Sequence, residues 1–143
     1  MLFTIYAYFC PKIFFYALEK SIWFAIVNPE AGSGKGLKDW PTIKSLLESE
    51  VIAFDFKVTE RKYHAVELTV WAIKNGYRKI LVIGGDGTLN EVVNGVFIQS
   101  IVPTTQITIG VVGVGTGNDW QRTYSIPADY KSKVLAIKDE KTI

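Results

Sequence analysis

Glycines are concentrated at the end of an apolar run in residues 79–88, KILVIGGDGT. Residues 79–83, an apolar run rich in β-branched side chains, are typical of a short buried parallel strand. Gly84, Gly85 and Gly87 follow, and because they lack a Cβ the backbone there can adopt positive φ and approach a bulky anion closely. The pattern predicts a strand that ends in a glycine loop.

Two polar residues then indicate the start of a helix. Thr88 and Glu91 have the spacing of a capping box, which predicts a helix to about residue 97. At a helix N-terminus, free N–H groups and the positive end of the helix dipole point the same way. Strand, glycine loop and helix in this order predict a phosphate-binding site.

Asp86 is the unusual residue of this loop. A carboxylate beside a phosphate is repulsive unless a divalent cation, a donated hydrogen bond or a proton transfer compensates. Asp86 therefore indicates Mg²⁺ and phosphoryl transfer. The alternative is a tight turn in which aspartate is simply a favoured turn residue.

Composition places the chain among globular α/β proteins. Its 143 residues suffice for one domain with a real core, and 48% apolar with 21% charged residues argues against disorder. The net charge of +2 is small and dispersed, so no nucleic-acid partner is indicated. The single Cys10 excludes an intramolecular disulfide and a cysteine metal site, which is compatible with a reducing cytoplasm.

Strands and helices are predicted to alternate along the chain. Strands are expected at residues 22–27, 53–58, 79–83 and 107–112, with helices at 37–49, 63–75, 88–97 and 130–137. Such βαβ units are right-handed and build a mostly parallel sheet flanked by helices, a three-layer α/β fold. The segments 28–36, 84–88 and 113–119 follow different strands. We therefore expect them to meet at the carboxyl edge of the sheet.

The flanking segments are also rich in glycine. Residues 30–36, EAGSGKG, fit neither the P-loop nor the Rossmann spacing, and a glycine linker is the alternative interpretation. Residues 113–119, GVGTGND, end in three residues that can cap a helix: Thr116, Asn118 and Asp119. By itself this segment is also compatible with a glycine-rich turn before a capped helix.

Taken together, these motifs resemble the diacylglycerol kinase catalytic domain, which sphingosine kinases and bacterial lipid kinases share. The sequence GGDGTLNEVVNG resembles its signature, and residues 28–35 resemble its NPxSG loop with Ala31 inserted. Residues 110–119 resemble its G-x-x-P-x-GT-x-ND segment, with Gly113 in place of the proline. That replacement is expected to make the loop less rigid. A shorter GGDGT also occurs in NAD kinases.

The resemblance implies a site for ATP and Mg²⁺ and transfer of the γ-phosphate to a lipid hydroxyl, such as that of diacylglycerol. Asp86 is the expected catalytic residue and metal ligand, either organising Mg²⁺ and phosphate or assisting proton transfer. Thr59 is implied at the nucleotide, although a turn or helix N-cap role fits it equally well. The remaining implied contacts are Asn28, Gly32, Ser33, Gly34, Lys35, Gly84, Gly85, Gly87, Thr88, Leu89, Asn90, Glu91, Gly115, Thr116, Asn118 and Asp119.

The alternatives are a sphingosine kinase, an NAD kinase-like enzyme, or a nucleotide-binding module without chemistry. Residues 21–143 are interpreted as the nucleotide-binding lobe, without the β-rich domain that follows in the family, so little activity is expected of it alone. Residues 1–20 are apolar and broken by Pro11 and Lys12. A surface anchor, an element packed on the core, or residues upstream of the natural start are possible, the last being favoured. A cytoplasmic enzyme with peripheral membrane contact is expected, and the oligomeric state is left open.

Overall fold

The computed structural model describes residues 19–115 and 119–140. Its sheet has the strand order β2-β1-β3-β4. The strands are β1 Lys20–Val27, β2 Phe54–Val58, β3 Tyr77–Gly84 and β4 Thr108–Gly113. Every pair of neighbouring strands is parallel. The carboxyl ends of the strands therefore lie along one edge of the sheet, as predicted.

Helices connect the strands and cover the sheet. They are α1 Ala31–Ser49, α2 His64–Lys74, α3 Asp86–Ile98, α4 Asp119–Thr123 and α5 Tyr130–Lys138. A short 3₁₀ turn, Thr104–Gln106, lies between α3 and β4. Within the described residues, no helix is both long enough and apolar enough to span a bilayer. Residues 1–18 of the predicted N-terminal extension lie outside the described part.

Two apolar cores lie on opposite faces of the sheet, because successive strand side chains point to opposite sides. On one face, Trp23 and Leu81 pack with Ile43 of α1 and Val134 of α5. The other core contains Phe24, Ile80, Leu68 of α2 and Val92 of α3. Helices on both faces confirm the predicted three-layer α/β fold.

Two helices begin earlier in the structure than the sequence predicts. α1 begins at Ala31, inside the segment that was predicted to be a loop. Its first turn is not a regular helix, because Gly32, Ser33 and Gly34 have left-handed φ values of 60°, 59° and 88°. The segment is therefore a left-handed turn leading into the predicted helix. α3 begins at Asp86, before the predicted capping residue Thr88.

Candidate functional site

The site is formed where three segments meet: the first loop (residues 28–36), the second loop (84–88) and the third loop (113–119), of which 113–115 and 119 are described. Asn28 Nδ2 donates a hydrogen bond of 2.8 Å to Thr88 Oγ1, which joins the first loop to the second. The Val114 N–H donates to the Gly84 carbonyl at 3.0 Å, which joins the second to the third. The predicted convergence of the loops is confirmed.

The first and third loops touch through glycine backbone. A Cβ on Gly32 would lie 2.8 Å from the Gly115 Cα, and one on Gly115 would lie 2.9 Å from the Gly32 Cα. Real Cβ contacts are not this short, and both residues also have positive φ, of 60° and 96°. Glycine is therefore required on both sides of this contact, for space as well as for conformation.

Gly36 is a structural requirement of the first loop that the sequence analysis did not include. A Cβ there would lie 1.9 Å from the Asn28 carbonyl oxygen. The next amide, that of Leu37, donates to the Pro29 carbonyl at 2.9 Å, so the chain folds back on itself. The only indication of this requirement in the sequence was that Gly36 is the last glycine of the glycine-rich segment EAGSGKG.

The start of α3 is open to an anion. Gly85 is the N-cap and has no side chain to cap the helix, and no described side chain accepts a hydrogen bond from the first turn of α3. Among the described residues, a Cβ added at Gly87 would meet nothing within 4 Å apart from its own helix backbone and chain neighbours, so the space beside Gly87 is open there. Uncapped N–H groups, the helix dipole and open space together suit a phosphate oxygen.

The predicted capping box is wrong. Thr88 is buried, and its hydroxyl accepts the hydrogen bond from Asn28 instead of capping α3. The Glu91 carboxylate turns to the next helix and accepts from the Tyr63 N–H at 3.0 Å and the Ala65 N–H at 3.2 Å. Because α3 starts at Asp86, Glu91 lies in the second turn of α3, too far along the helix to cap its N-terminus. The Glu91 side chain instead contacts the N-terminus of α2 and satisfies free N–H groups there.

Asp86 connects the second loop to the third. Its Oδ2 accepts a hydrogen bond of 2.8 Å from the backbone N–H of Asp119, the first residue of α4. The Asp119 side chain is exposed and pairs with Arg122 at 3.5 Å. The described residues contain no group of three or more His, Cys, Asp or Glu side chains placed to hold a metal ion. Thr116 and Asn118 lie outside the described residues.

Two other predicted residues border the first loop. Lys35 is exposed, and within the described residues its ammonium makes no ion pair. Thr59 is buried, and its N–H donates to the Val27 carbonyl at 2.8 Å, directly before the first loop. Its alternative role as the N-cap of α2 is excluded, because Tyr63 occupies that position.

Two other predicted residues lie on α3. Leu89 is buried and belongs to the apolar core. Asn90 is exposed, and its Oδ1 accepts a hydrogen bond of 3.0 Å from Asn94 Nδ2, one helical turn later. Both side chains also line a cavity beside Asp86.

This cavity, of about 750 Å³, lies along the outer edge of β4 between α3 and α5. Asp86 lies at its border, and its walls are mostly apolar, formed by Leu89, Val93, Ile109, Val111, Ile126, Pro127, Ala136 and Ile137. One buried cation, Lys133 of α5, also lines it. Burial lowers the pKa of the Lys133 ammonium below its ordinary value, and the nearby Asp129 partly opposes that shift. Neither the cavity nor the buried lysine was predicted from the sequence.

The sequence and the fold are similar to those of known proteins. A profile of the diacylglycerol kinase catalytic domain matches residues 22–143. A diacylglycerol kinase of Staphylococcus haemolyticus (strain JCSC1435) is 35% identical over 117 residues, which are 82% of this chain and 34% of that protein. One from Staphylococcus carnosus (strain TM300) is 33% identical over 112 residues, 78% of this chain and 35% of that protein.

Solved structures of diacylglycerol kinases have a similar fold. A diacylglycerol kinase structure from Bacillus anthracis str. Sterne matches with a TM-score of 0.69 at 28% identity, over 84% of this chain and 40% of that one. The chain thus spans about a third of the length of the curated relatives described above, at 34% and 35%.

Proposed function

Because the chain belongs to the diacylglycerol kinase catalytic domain family, we propose that it is the ATP-binding lobe of a lipid kinase. The family activity is phosphoryl transfer, and the proposed acceptor is a lipid hydroxyl such as that of diacylglycerol. The observation that carries the proposal is the contact of three glycine loops at the carboxyl edge of a parallel sheet.

The residues present fit a nucleotide polyphosphate. The backbone N–H groups at the start of α3 can donate to phosphate oxygens. Among the described residues, the space beside Gly87 is open, so a phosphate can approach them. Gly34 also faces open space, and the exposed Lys35 beside it supplies a positive charge. Binding would therefore depend mainly on main-chain donors and on one ammonium group.

Asp86 is the proposed residue for the metal-dependent step. One of its carboxylate oxygens is held by the Asp119 N–H, so the orientation of the group is fixed before a ligand arrives. Oδ1 has no hydrogen-bond donor within the described residues and remains available. When bound, ATP would supply the phosphoryl group, and Mg²⁺ would supply positive charge beside the carboxylate. Asp86 would then orient Mg²⁺ or accept the proton of the acceptor hydroxyl.

The cavity beside Asp86 supports an apolar acceptor. Its walls are mostly aliphatic, while the carboxylate lies at its border. A molecule with a hydroxyl on an apolar body could place the hydroxyl near Asp86 and bury the rest. A lipid meets this requirement, and its use would bring the protein to a membrane surface.

The test is calorimetric titration of ATP, with and without Mg²⁺, into the chain and two variants. Asp86→Asn keeps an acceptor for the Asp119 N–H but removes the charge, so Mg²⁺ should no longer improve ATP binding. Gly87→Ala adds a methyl group to open space, so it should leave the fold intact and weaken ATP binding about tenfold or more. Ser49→Ala, at the far end of α1, is the control.

Two results would contradict the proposal. The first is no ATP binding up to about 5 mM, which corresponds to a binding free energy weaker than about −3 kcal/mol. The second is binding that neither variant changes. ATP binding without phosphate transfer to diacylglycerol vesicles would instead indicate a nucleotide-binding module.

A further inference from the structure

Lys133 is the buried cation nearest the site, and the proposed phosphoryl-transfer chemistry does not use it. The residue is only 4% exposed, and its Nζ donates a hydrogen bond of 2.9 Å to the Gly113 carbonyl. Gly113 is the last residue of β4 and the first of the third loop. A buried ammonium is costly unless its hydrogen bonds compensate, so this contact requires an explanation.

The helix that carries Lys133 is fixed on both sides of it. At the N-terminus, Asp129 caps α5 by accepting from the Ser132 N–H at 2.8 Å, and the Tyr130 hydroxyl donates to Asp39 Oδ2 of α1 at 2.7 Å. One residue further on, Val134 is fully buried in the core against the sheet. The ammonium is therefore presented from a rigid element.

Gly113 needs an external partner because of its position in the sheet. The neighbouring Val114 N–H points to β3 and donates to Gly84. Backbone groups of successive strand residues point to opposite sides, so the N–H and carbonyl of Gly113 face the open edge of β4. No neighbouring strand lies on that side in the described part of the chain, and Lys133 occupies the place of a partner.

We propose that Lys133 is a positioning residue, whose ammonium fixes the start of the third loop and so holds that loop against the other two. The inference rests on the proposed function in one respect: the loop it positions is taken to bind nucleotide. The positioning itself concerns only the described contacts. Glycine at 113 gives the backbone freedom that this side chain removes.

The test uses Lys133→Met, which keeps the length and apolar stem of the side chain but not the donor. We expect the Val114 amide to exchange with solvent at least about tenfold faster, since it reports the attachment of the third loop to the second. The Leu81 amide, in the buried centre of β3, should keep its rate. Lys131→Met, the same substitution at an exposed position of α5, is the matched control and should change neither rate.

Proline at 113 provides a rescue that a general structural role would not predict. Because the Gly113 N–H faces the open edge, proline there loses no ladder hydrogen bond, and its ring restricts the backbone directly. In the double variant Lys133→Met/Gly113→Pro, protection of the Val114 amide should return to within about threefold of the original. ATP affinity should fall in Lys133→Met and recover in the double variant.

Three outcomes would overturn the inference: unchanged Val114 exchange in Lys133→Met, equal loss of protection at Leu81 and Val114, or no rescue by proline. Equal loss would mean that Lys133 stabilises the whole fold instead of the loop. If the original chain binds no ATP, the proposed function fails. The exchange rates still decide whether Lys133 positions the loop.

Discussion

Removing the Glu91 carboxylate should destabilise the N-terminus of α2, although Glu91 belongs to α3. Its two oxygens accept the Tyr63 and Ala65 N–H groups at 3.0 and 3.2 Å. Tyr63 is the N-cap of α2, has a left-handed φ of 64°, and makes no capping bond with its own side chain. Glu91 therefore supplies from a neighbouring helix the cap that the local sequence does not provide.

The structure gives an approximate magnitude for this effect. A side-chain cap contributes about 0.5–2 kcal/mol, and a negative charge at a helix N-terminus adds about 0.3–1 kcal/mol. Glu91 is only half-buried, so water can partly replace it at the vacated N–H groups. We expect Glu91→Ala to lower the free energy of unfolding by about 1.5–2 kcal/mol. Glu91→Gln, which keeps one neutral acceptor, should lose about half as much.

The measurement is urea unfolding followed by circular dichroism, with the m value checked for two-state behaviour. Glu67→Ala is the matched control, because Glu67 lies in the first turn of α2 and forms only an exposed ion pair with Arg61. Its effect should be much smaller. Unfolding curves for Glu91→Ala and Glu91→Gln that coincide with the original would refute the interhelical cap.

Backbone geometry gives three further predictions, each measured by thermal or urea unfolding. Val51, 88% exposed, has a φ of 59° at the end of α1, so Val51→Gly should add about 1 kcal/mol of stability and Val51→Ala clearly less. Gly36→Ala would place a Cβ 1.9 Å from the Asn28 carbonyl oxygen and should cost about 3 kcal/mol. Gly95→Ala would place one 2.7 Å from Thr69 Cβ where α2 meets α3, and should cost about 2 kcal/mol. An unchanged midpoint in any of them would contradict the corresponding close approach or strain.

The fold was accessible from sequence because its determinants are periodic and local. Apolar runs such as residues 79–83 are typical of strands buried on both faces, and helical spacing separates them. Once the strands are parallel, topology alone brings loops that are far apart in sequence to the same edge. Convergence of the three loops followed without knowledge of any single contact.

The capping box failed because spacing does not determine which helix end a carboxylate reaches. Thr88 and Glu91 match the pattern, but Gly85 and Asp86 already start the helix. The N-terminus of α2, where Tyr63 has a left-handed φ, is 28 residues from Glu91 in the sequence and contacts it only in the folded structure. A local motif can therefore name the correct residue type and still assign it to the wrong partner.

The contact that restrains the third loop could not be predicted from the sequence either. A less rigid third loop was expected because Gly113 stands where the lipid-kinase motif that residues 110–119 resemble has a proline. The structure places Lys133, twenty residues later on α5, on the Gly113 carbonyl. Nothing in the pattern of residues 130–137 distinguishes this buried lysine from the exposed ones beside it. Such a link can be found only from burial and hydrogen bonding.

Several predicted ligand-binding groups are partly engaged in holding the loops together. Asn28 and Thr88 bond to each other, and one oxygen of Asp86 is taken by the Asp119 N–H. Their removal would therefore disturb loop geometry as well as any contact with a nucleotide, and alanine variants would confuse the two effects. Gly87 differs, because a methyl group added there meets no atom of another described segment within 4 Å. A change at Gly87 is for that reason a cleaner test of nucleotide binding than loss of a side chain from the loops.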